Sequence, residues 1–317
     1  MDINSKIYVA GHTGMVGSAI VRSLKTKGYN NLIFTTYPEF DLTNQQVVTD
    51  LFKKEKPEYV INAAAKVGGI HANNTYRGQF IYENMMIQNN VIHSAHETGV
   101  KKLLFLGSSC IYPKLASQPM KEEYLLTGEL EQTNEPYAIA KISGVKMCEN
   151  YFKQYDDNFI SAMPTNLYGS NDNFDLQTSH VLPALIRKFH EAKENKADFV
   201  EVWGSGKPKR EFLYVDDVAD ACVFLLQNVD AQQLYDDMKI SHINIGCGVD
   251  LTIAELSNKI AKIVEYNGKI KFDTSQPDGT PQKLLDVSRL KNLGWQPSIS
   301  LEEGIKLAYG WYLKNVA

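Results

Sequence analysis

Tyr137 and Lys141 stand four residues apart in Glu135-Pro136-Tyr137-Ala138-Ile139-Ala140-Lys141. On a helix, that spacing projects both side chains from one face. A free tyrosine titrates near 10. A neighbouring ammonium favours the phenolate and lowers that value, so the pair can exchange a proton near neutrality. Taken alone, the spacing also describes an ordinary surface pair. A partner hydroxyl is offered by Leu106-Gly107-Ser108-Ser109-Cys110-Ile111-Tyr112-Pro113, which follows an apolar run. Ser108 there would hydrogen-bond a carbonyl while Tyr137 exchanges the proton. Cys110 would reach the same pocket, or else fill space as a small buried hydrophobe. His180, in Thr178-Ser179-His180-Val181-Leu182-Pro183, leads into a helical pattern. A thiol and an imidazole together would make an acid/base pair for a carbon beside a ketone. A lone histidine is otherwise structural.

A second group of residues suits phosphate. Gly11-His12-Thr13-Gly14-Met15-Val16-Gly17 lies between a strand-like run and a helical one. Two glycines permit a tight turn and close approach of a pyrophosphate, and the third lets helix pack on strand. The helix N-terminus adds unpaired N–H groups and a favourable dipole. After the next strand, Thr35-Thr36-Tyr37-Pro38-Glu39 offers neither the Asp expected for NAD nor the Arg expected for NADP. Asp41 and Leu42 follow on the adenine side. Further along, Lys209-Arg210, with Arg187 and Lys188, would clamp a diphosphate or remain solvated charge.

These groups need a scaffold, and the sequence supplies one. The 317 residues are 44% hydrophobic and 22% charged, which is globular composition. The net charge of −4 gives no bulk attraction to nucleic acid or anionic lipid. Four scattered cysteines, without metal-ligand spacing, read as reduced thiols. With no signal segment and no membrane-length apolar run, a cytoplasmic protein is expected. Lys6–Ala10, Leu32–Thr35, Tyr59–Ala64, Lys102–Leu106 and Phe159–Met163 read as strands separated by helices. Near-continuous apolar strands of that kind predict an α/β fold, a doubly wound parallel sheet of Rossmann type. We expect residues 1–165 to form the dinucleotide-binding domain, with a returning segment near 212–246. Residues 166–317 should form mainly a smaller mixed α/β substrate region. Thr252 with Glu255 predicts a capping box there, and Ser300 with Glu303 opens the last helix.

The ordered set of glycine loop, Ser108 and Tyr137-x-x-x-Lys141 resembles the extended short-chain dehydrogenase/reductase family. Further strings sharpen the likeness toward the members that make GDP-L-fucose. They are Ala63–Ile70, Asn73–Tyr76, Gly107–Lys114, Pro164–Gly169, Trp203–Gly206 and Pro277–Pro281. The resemblance runs nearly end to end. It implies 3,5-epimerisation of GDP-4-keto-6-deoxy-D-mannose, then reduction of its 4-keto group with NADPH. On that reading Ser108 and Tyr137 hold and protonate the C4 oxygen. Lys141 tunes Tyr137 and touches the nicotinamide ribose, and Cys110 and His180 are base and acid of the epimerisation. The cofactor would rest on Gly11, Thr13, Gly14, Met15, Val16 and Gly17, with Tyr37, Asp41 and Leu42 toward its adenosine end. Ala64, Leu106, Gly107, Pro164, Asn166, Leu167 and His180 would border the remainder. Ser109, Asn166, Lys188, Trp203, Arg210 and Asp278 would contact the GDP-sugar. A homodimer is the family expectation, and no metal is implied.

Two positions depart from the family pattern. Lys188 stands where an Arg is expected, which reduces a bidentate contact to a point charge. Thr13 and Tyr37 stand where arginines accompany the family's preference for NADP, so use of NAD is also open. Alternatives are a nucleotide-sugar 4-epimerase, a 4,6-dehydratase and a non-catalytic NAD(P)-binding protein. A dehydratase would carry an Asp-Glu pair after its hydroxyl, where this chain has Ser109-Cys110. A retired scaffold would have no need to keep Ser108, Tyr137 and Lys141 together.

Overall fold

The apolar runs become the middle layer of an α/β sandwich. The computed structural model describes residues 1–276 and 278–317, with the side chains of all but Ile70 and His71. Pro277, part of one of the strings above, lies outside the described residues. In chain order the strands are β1 (Ile7–Ala10), β2 (Leu32–Ile33), β3 (Tyr59–Asn62), β4 (Lys102–Leu106), β5 (Phe159–Pro164), β6 (Asn166–Tyr168), β7 (Phe199–Trp203), β8 (Lys209–Tyr214), β9 (Ile243–Ile245), β10 (Asp250–Thr252), β11 (Lys269–Asp273) and β12 (Gln282–Lys283). Six of them form one all-parallel sheet in the order β2-β1-β3-β4-β5-β9.

Every residue of β1, β4 and β5 is buried, as expected for strands covered on both faces. One face carries α1 (Met15–Thr26), whose Ala19 and Ile20 pack with Val9, Leu104 and Ile160. The other carries α2 (Gln45–Glu55), α3 (Ile70–Thr75), α4 (Arg77–Glu97) and α5 (Glu135–Tyr155). There Phe52, Val91 and Val145 close on Tyr8, Val60 and Phe105. Next come α6 (Val181–Glu194) and α7 (Val215–Asn228); α7 returns to the α1 face, where Val218 and Ala219 join the same core.

Outside the sheet, β8 is the hub of a smaller layer. It pairs with β6, β10 and β12. Glu211 on β8 is wholly buried, and its carboxylate accepts N–H groups from Gly248 at 2.6 Å and Leu285 at 3.0 Å. Its backbone carbonyl accepts from Asn166 at 2.8 Å. One residue thus ties three segments that border the cleft. Three last helices, α8 (Ile253–Val264), α9 (Ser288–Asn292) and α10 (Leu301–Asn315), complete the chain.

Local expectations hold with one exception. Thr252 and Glu255 form both bonds of a capping box, and Ser300, the N-cap of α10, accepts the Glu303 N–H at 3.3 Å. The second predicted strand stops at Ile33 rather than Thr35. Phe34 stacks on His12, with centroids 4.7 Å apart, and the Thr35 hydroxyl bonds Tyr8 at 2.8 Å. Both residues leave the ladder to line the glycine loop.

Candidate active site

The chain passes from β1 to β2 on one side and then to β3 on the other, so the strand order reverses at β1. Open α/β sheets bind ligands at such a reversal, outside the carboxyl ends of the strands. The glycine loop lies there. Gly11 has φ +82°, and a Cβ on it would stand 2.8 Å from the Ala64 backbone. A Cβ on Gly17 would stand 2.0 Å from the Gly11 carbonyl oxygen. The first and third glycines are therefore required by packing. Gly14 is different: a Cβ there would meet only the Gly11 carbonyl, at 3.5 Å. It is the N-cap of α1 and no side chain caps the helix. The first-turn N–H groups, from Met15 onward, suit a phosphate. Nearby, Asn62 Nδ2 and His12 Nδ1 are buried without a partner among the described residues. This donor set fits a pyrophosphate and its ribose.

At the far end of the loop, Thr13 is exposed and Tyr37 is 76% exposed. Asp41 uses one oxygen to hold the turn into α2, accepting from the Thr43 N–H at 2.9 Å and hydroxyl at 2.8 Å. Leu42 packs on the α2–α4 core.

The catalytic candidates gather at the ends of β4 and β5. β4 delivers Gly107 and Ser108, and a short turn over Ser109–Ile111 follows. The Ser108 hydroxyl accepts the Cys110 N–H at 3.4 Å. Pro136 sits in the first turn of α5, and the helix presents Tyr137 and Lys141 to the same place. The Lys141 ammonium donates to the Leu106 carbonyl at 2.8 Å and lies 5.8 Å from the centre of the Tyr137 ring. Ser109 is buried beneath the turn. Pro164, Asn166 and Leu167 flank the cleft from β5 and β6.

One sequence expectation is corrected here. Tyr137 is not driven toward phenolate by Lys141. Burial pushes its pKa well above the ordinary value, the Cys110 thiol adds to the rise, and the Ser108 hydroxyl opposes it. The reason is distance and commitment, since the ammonium is bonded to a carbonyl instead. Tyr137 is therefore a protonated phenol, which suits a proton donor. Lys141 is itself lowered to about 8 by burial, with the Cys110 thiol opposing.

His180 is the N-cap residue of α6, and its side chain makes no cap bond. The residue as a whole is exposed, yet the surroundings of its ring lower its pKa, through burial first and Lys283 second. The Cys110 thiol is raised by burial, while Lys283, Ser108 and Lys141 pull it down. Lys188 donates to the Glu201 carbonyl at 3.0 Å and lies 5.0 Å from the centre of the half-exposed Trp203 ring. Among the described residues, Arg210 bonds only its neighbour's carbonyl, at 2.8 Å. Asp278 accepts from the Ser205 N–H at 2.6 Å and hydroxyl at 2.7 Å, so it also shapes the Gly204–Gly206 turn. Arg187, proposed from sequence as part of the diphosphate clamp, instead pairs with Glu191 at 2.6 Å.

Residues 7–246 match the model of the NAD dependent epimerase/dehydratase family. Across 99% of this chain and 95% of the relative, the sequence is 58% identical to GDP-L-fucose synthase 1 of Arabidopsis thaliana. It is 56% identical to the GDP-L-fucose synthase of Escherichia coli K12, covering 98% and 97%. A solved GDP-mannoheptose C4 reductase from Campylobacter jejuni, with NADP bound, superposes with a TM-score of 0.92 at 46% identity, covering 99% of each chain. The chain belongs to the NAD dependent epimerase/dehydratase family.

Within this epimerase/dehydratase scaffold, sequence reasoning missed two contributors. Lys283 sits on β12 directly opposite Arg210 of β8, and its charge pulls the pKa values of Cys110 and His180 down. Nothing in Gln282-Lys283-Leu284 signals a site, because a two-residue strand has no readable period. Asn171, in a left-handed conformation at φ +66°, donates to the Thr13 carbonyl at 2.7 Å. The loop after β6 thereby reaches the glycine loop. Such a long-range contact leaves no local pattern.

Proposed function

We propose that this chain converts GDP-4-keto-6-deoxy-D-mannose to GDP-L-fucose by 3,5-epimerisation followed by NADPH-dependent 4-reduction. The observation that carries the reading is the Cys110 thiol, buried within the Ser108–Tyr137–Lys141 cluster. Simple carbonyl reduction has no use for a thiol there, whereas deprotonation beside a ketone does. Two fucose synthases share more than half of their residues with this chain over nearly its whole length.

The chemistry follows from the residues. A ketone at C4 acidifies the C3 and C5 hydrogens. Ser108 and Tyr137 grip the C4 oxygen, which bears negative charge first as an enolate and later as an alkoxide. Cys110, as thiolate, takes the proton from carbon, and His180 returns one from the other face. Tyr137 then gives its proton to the C4 oxygen. When bound, NADPH supplies the hydride to C4. Lys141 holds the nicotinamide ribose. Lys188 and Arg210 neutralise the diphosphate, and Trp203 covers the nucleotide. NMR analysis of the product, from the purified keto-sugar with NADPH in deuterated water, tests the whole reading. A reduced sugar lacking deuterium at both C3 and C5 would sink it.

The cofactor is NADP(H), but its 2′-phosphate meets an unusual surface here. Arginine introduced at Thr13 or Tyr37 should add a charge-assisted contact. The NADPH dissociation constant should fall about tenfold, with little change for NADH. Equal effects in fluorescence titrations with both cofactors would place these residues away from the 2′ position.

Among the described residues, no helix is long and apolar enough to cross a membrane. We further propose a cytoplasmic homodimer, with the exposed Tyr82 of α4 and Ile139 and Tyr155 of α5 at the interface. Light scattering should give twice the chain mass of 35.7 kDa, and a monomer at micromolar concentration would refute it.

A further inference from the structure

Buried amides pin the chain between β3 and α3 from two sides. Asn84 of α4 accepts the Lys66 N–H at 2.9 Å and donates to the Lys66 carbonyl at 3.0 Å. Asn73 of α3 donates to the carbonyls of Gly68, at 2.6 Å, and Gly69, at 3.0 Å. Both asparagines are buried. The Phe80 ring, edge-on to Tyr137, lies on the Gly68 side, where a Cβ would stand 3.3 Å from it. The Gly69 side faces the segment that carries His180. Its N–H donates to the Thr178 carbonyl at 3.0 Å. A Cβ on Gly69 would stand 3.0 Å from the Ser179 carbonyl oxygen and 3.3 Å from that of Thr178. The Ser179 carbonyl belongs to the peptide bond that holds the His180 nitrogen.

Neither side of that contact is free to step away. The Asp175 carboxylate accepts the Thr178 N–H and hydroxyl, each at 2.9 Å. The His180 carbonyl accepts the Ala184 N–H at 3.1 Å in the first turn of α6. Gly69 itself has φ −65° and ψ 179°, extended backbone open to any residue. Its missing side chain therefore serves the contact and not the backbone conformation. An added atom would press on the Ser179–His180 peptide and move His180 with it, because packed interiors transmit such strain.

We propose that Gly69, braced by Asn73, is a positioning residue that sets His180 for proton return to carbon during epimerisation. This rests on the function proposed above. In that step the His180 imidazolium gives its proton to the enolate carbon, whose electron pair forms the new C–H bond. The C4 carbonyl re-forms and His180 is left neutral. Gly69 itself exchanges no proton. A misplaced His180 changes the outcome of deprotonation more than its rate. Cys110 still removes the carbon proton, and its thiol, once exchanged with solvent, returns deuterium to the same face. Exchange then persists with the original configuration, while inversion falls.

The test uses the full-length enzyme with the keto-sugar and oxidised NADP in deuterated water, so that exchange proceeds without reduction. NMR reads the initial deuterium entry at C3 and C5 and the share of exchanged centres that are inverted. In G69A that share should fall about fivefold or more, while total entry and single-turnover oxidation of GDP-L-fucose by NADP change by less than about threefold. N73A frees Gly69 without adding an atom and should shift the share in the same direction; where G69A is unstable, N73A decides. H180Q should lose inversion at least as far, and G69A should add no further loss in the H180Q background. Three results would overturn the proposal: G69A and N73A with the wild-type share, G69A slowing exchange and oxidation alike, or G69A adding its full effect to H180Q. The second would make Gly69 a general packing residue. Wild type that takes up no deuterium would instead overturn the proposed function itself.

Discussion

Tyr137→Phe should lower the rate of NADPH oxidation by about 10²- to 10⁴-fold, the range carried by a positioned proton donor. The ring and its contact with Phe80, at 6.3 Å between centroids, remain, so the fold and GDP-sugar binding should survive. Stopped-flow absorbance of NADPH gives the rate, and inhibition by GDP reads binding. A variant that reduces substrate at nearly the wild-type rate would remove Tyr137 from the mechanism. The wild-type pH profile carries a matching signature. Burial holds the phenol protonated far above neutrality, so Tyr137 should not limit the alkaline side. Lys141 should, because it is lowered to about 8. Its charge is present below that value and lost above it, and reduction should decline as pH rises through about 8.

Cys110→Ser should separate the two chemistries. The hydroxyl has a far higher pKa than the thiol and is a poor base at neutral pH. Ser108, Tyr137 and Lys141 are left in place, so the ketone can still be reduced. Deuterium entry at C3 and C5 should slow by about a hundredfold or more. The keto-sugar should then leave as a product reduced without full inversion, identifiable by NMR. His180→Gln should impair proton return and slow formation of the fully epimerised sugar. Should Cys110→Ser exchange both positions at the wild-type rate and give only GDP-L-fucose, the thiol would be a packing residue. Its 7% exposure is equally compatible with that.

The local chemistry of this chain was written in short strings. Gly11–Gly17, Ser108–Cys110 and Tyr137–Lys141 each combine a spacing with a flanking element that the spacing requires. The strands were legible because burial on both faces leaves near-continuous apolar runs. Leu32–Thr35 misled because the same apolar residues that extend a strand also stack and bond elsewhere. Phe34 and Thr35 turn to His12 and Tyr8. Arg187 misled for a related reason: a basic side chain near a clamp is indistinguishable in sequence from one that pairs with Glu191 on its own helix.

The sequence alone determined the parallel α/β layer, the phosphate-binding turn and the types of the reacting groups, since each depends on neighbours within a few residues. Only tertiary structure decided the protonation tendencies of those groups. The protonated state of Tyr137 comes from burial against segments far along the chain. Lys283 joins Arg210 because β12 returns beside β8, some seventy residues along the chain. Desolvation and electrostatic fields depend on distance in space, and no spacing along a chain encodes them.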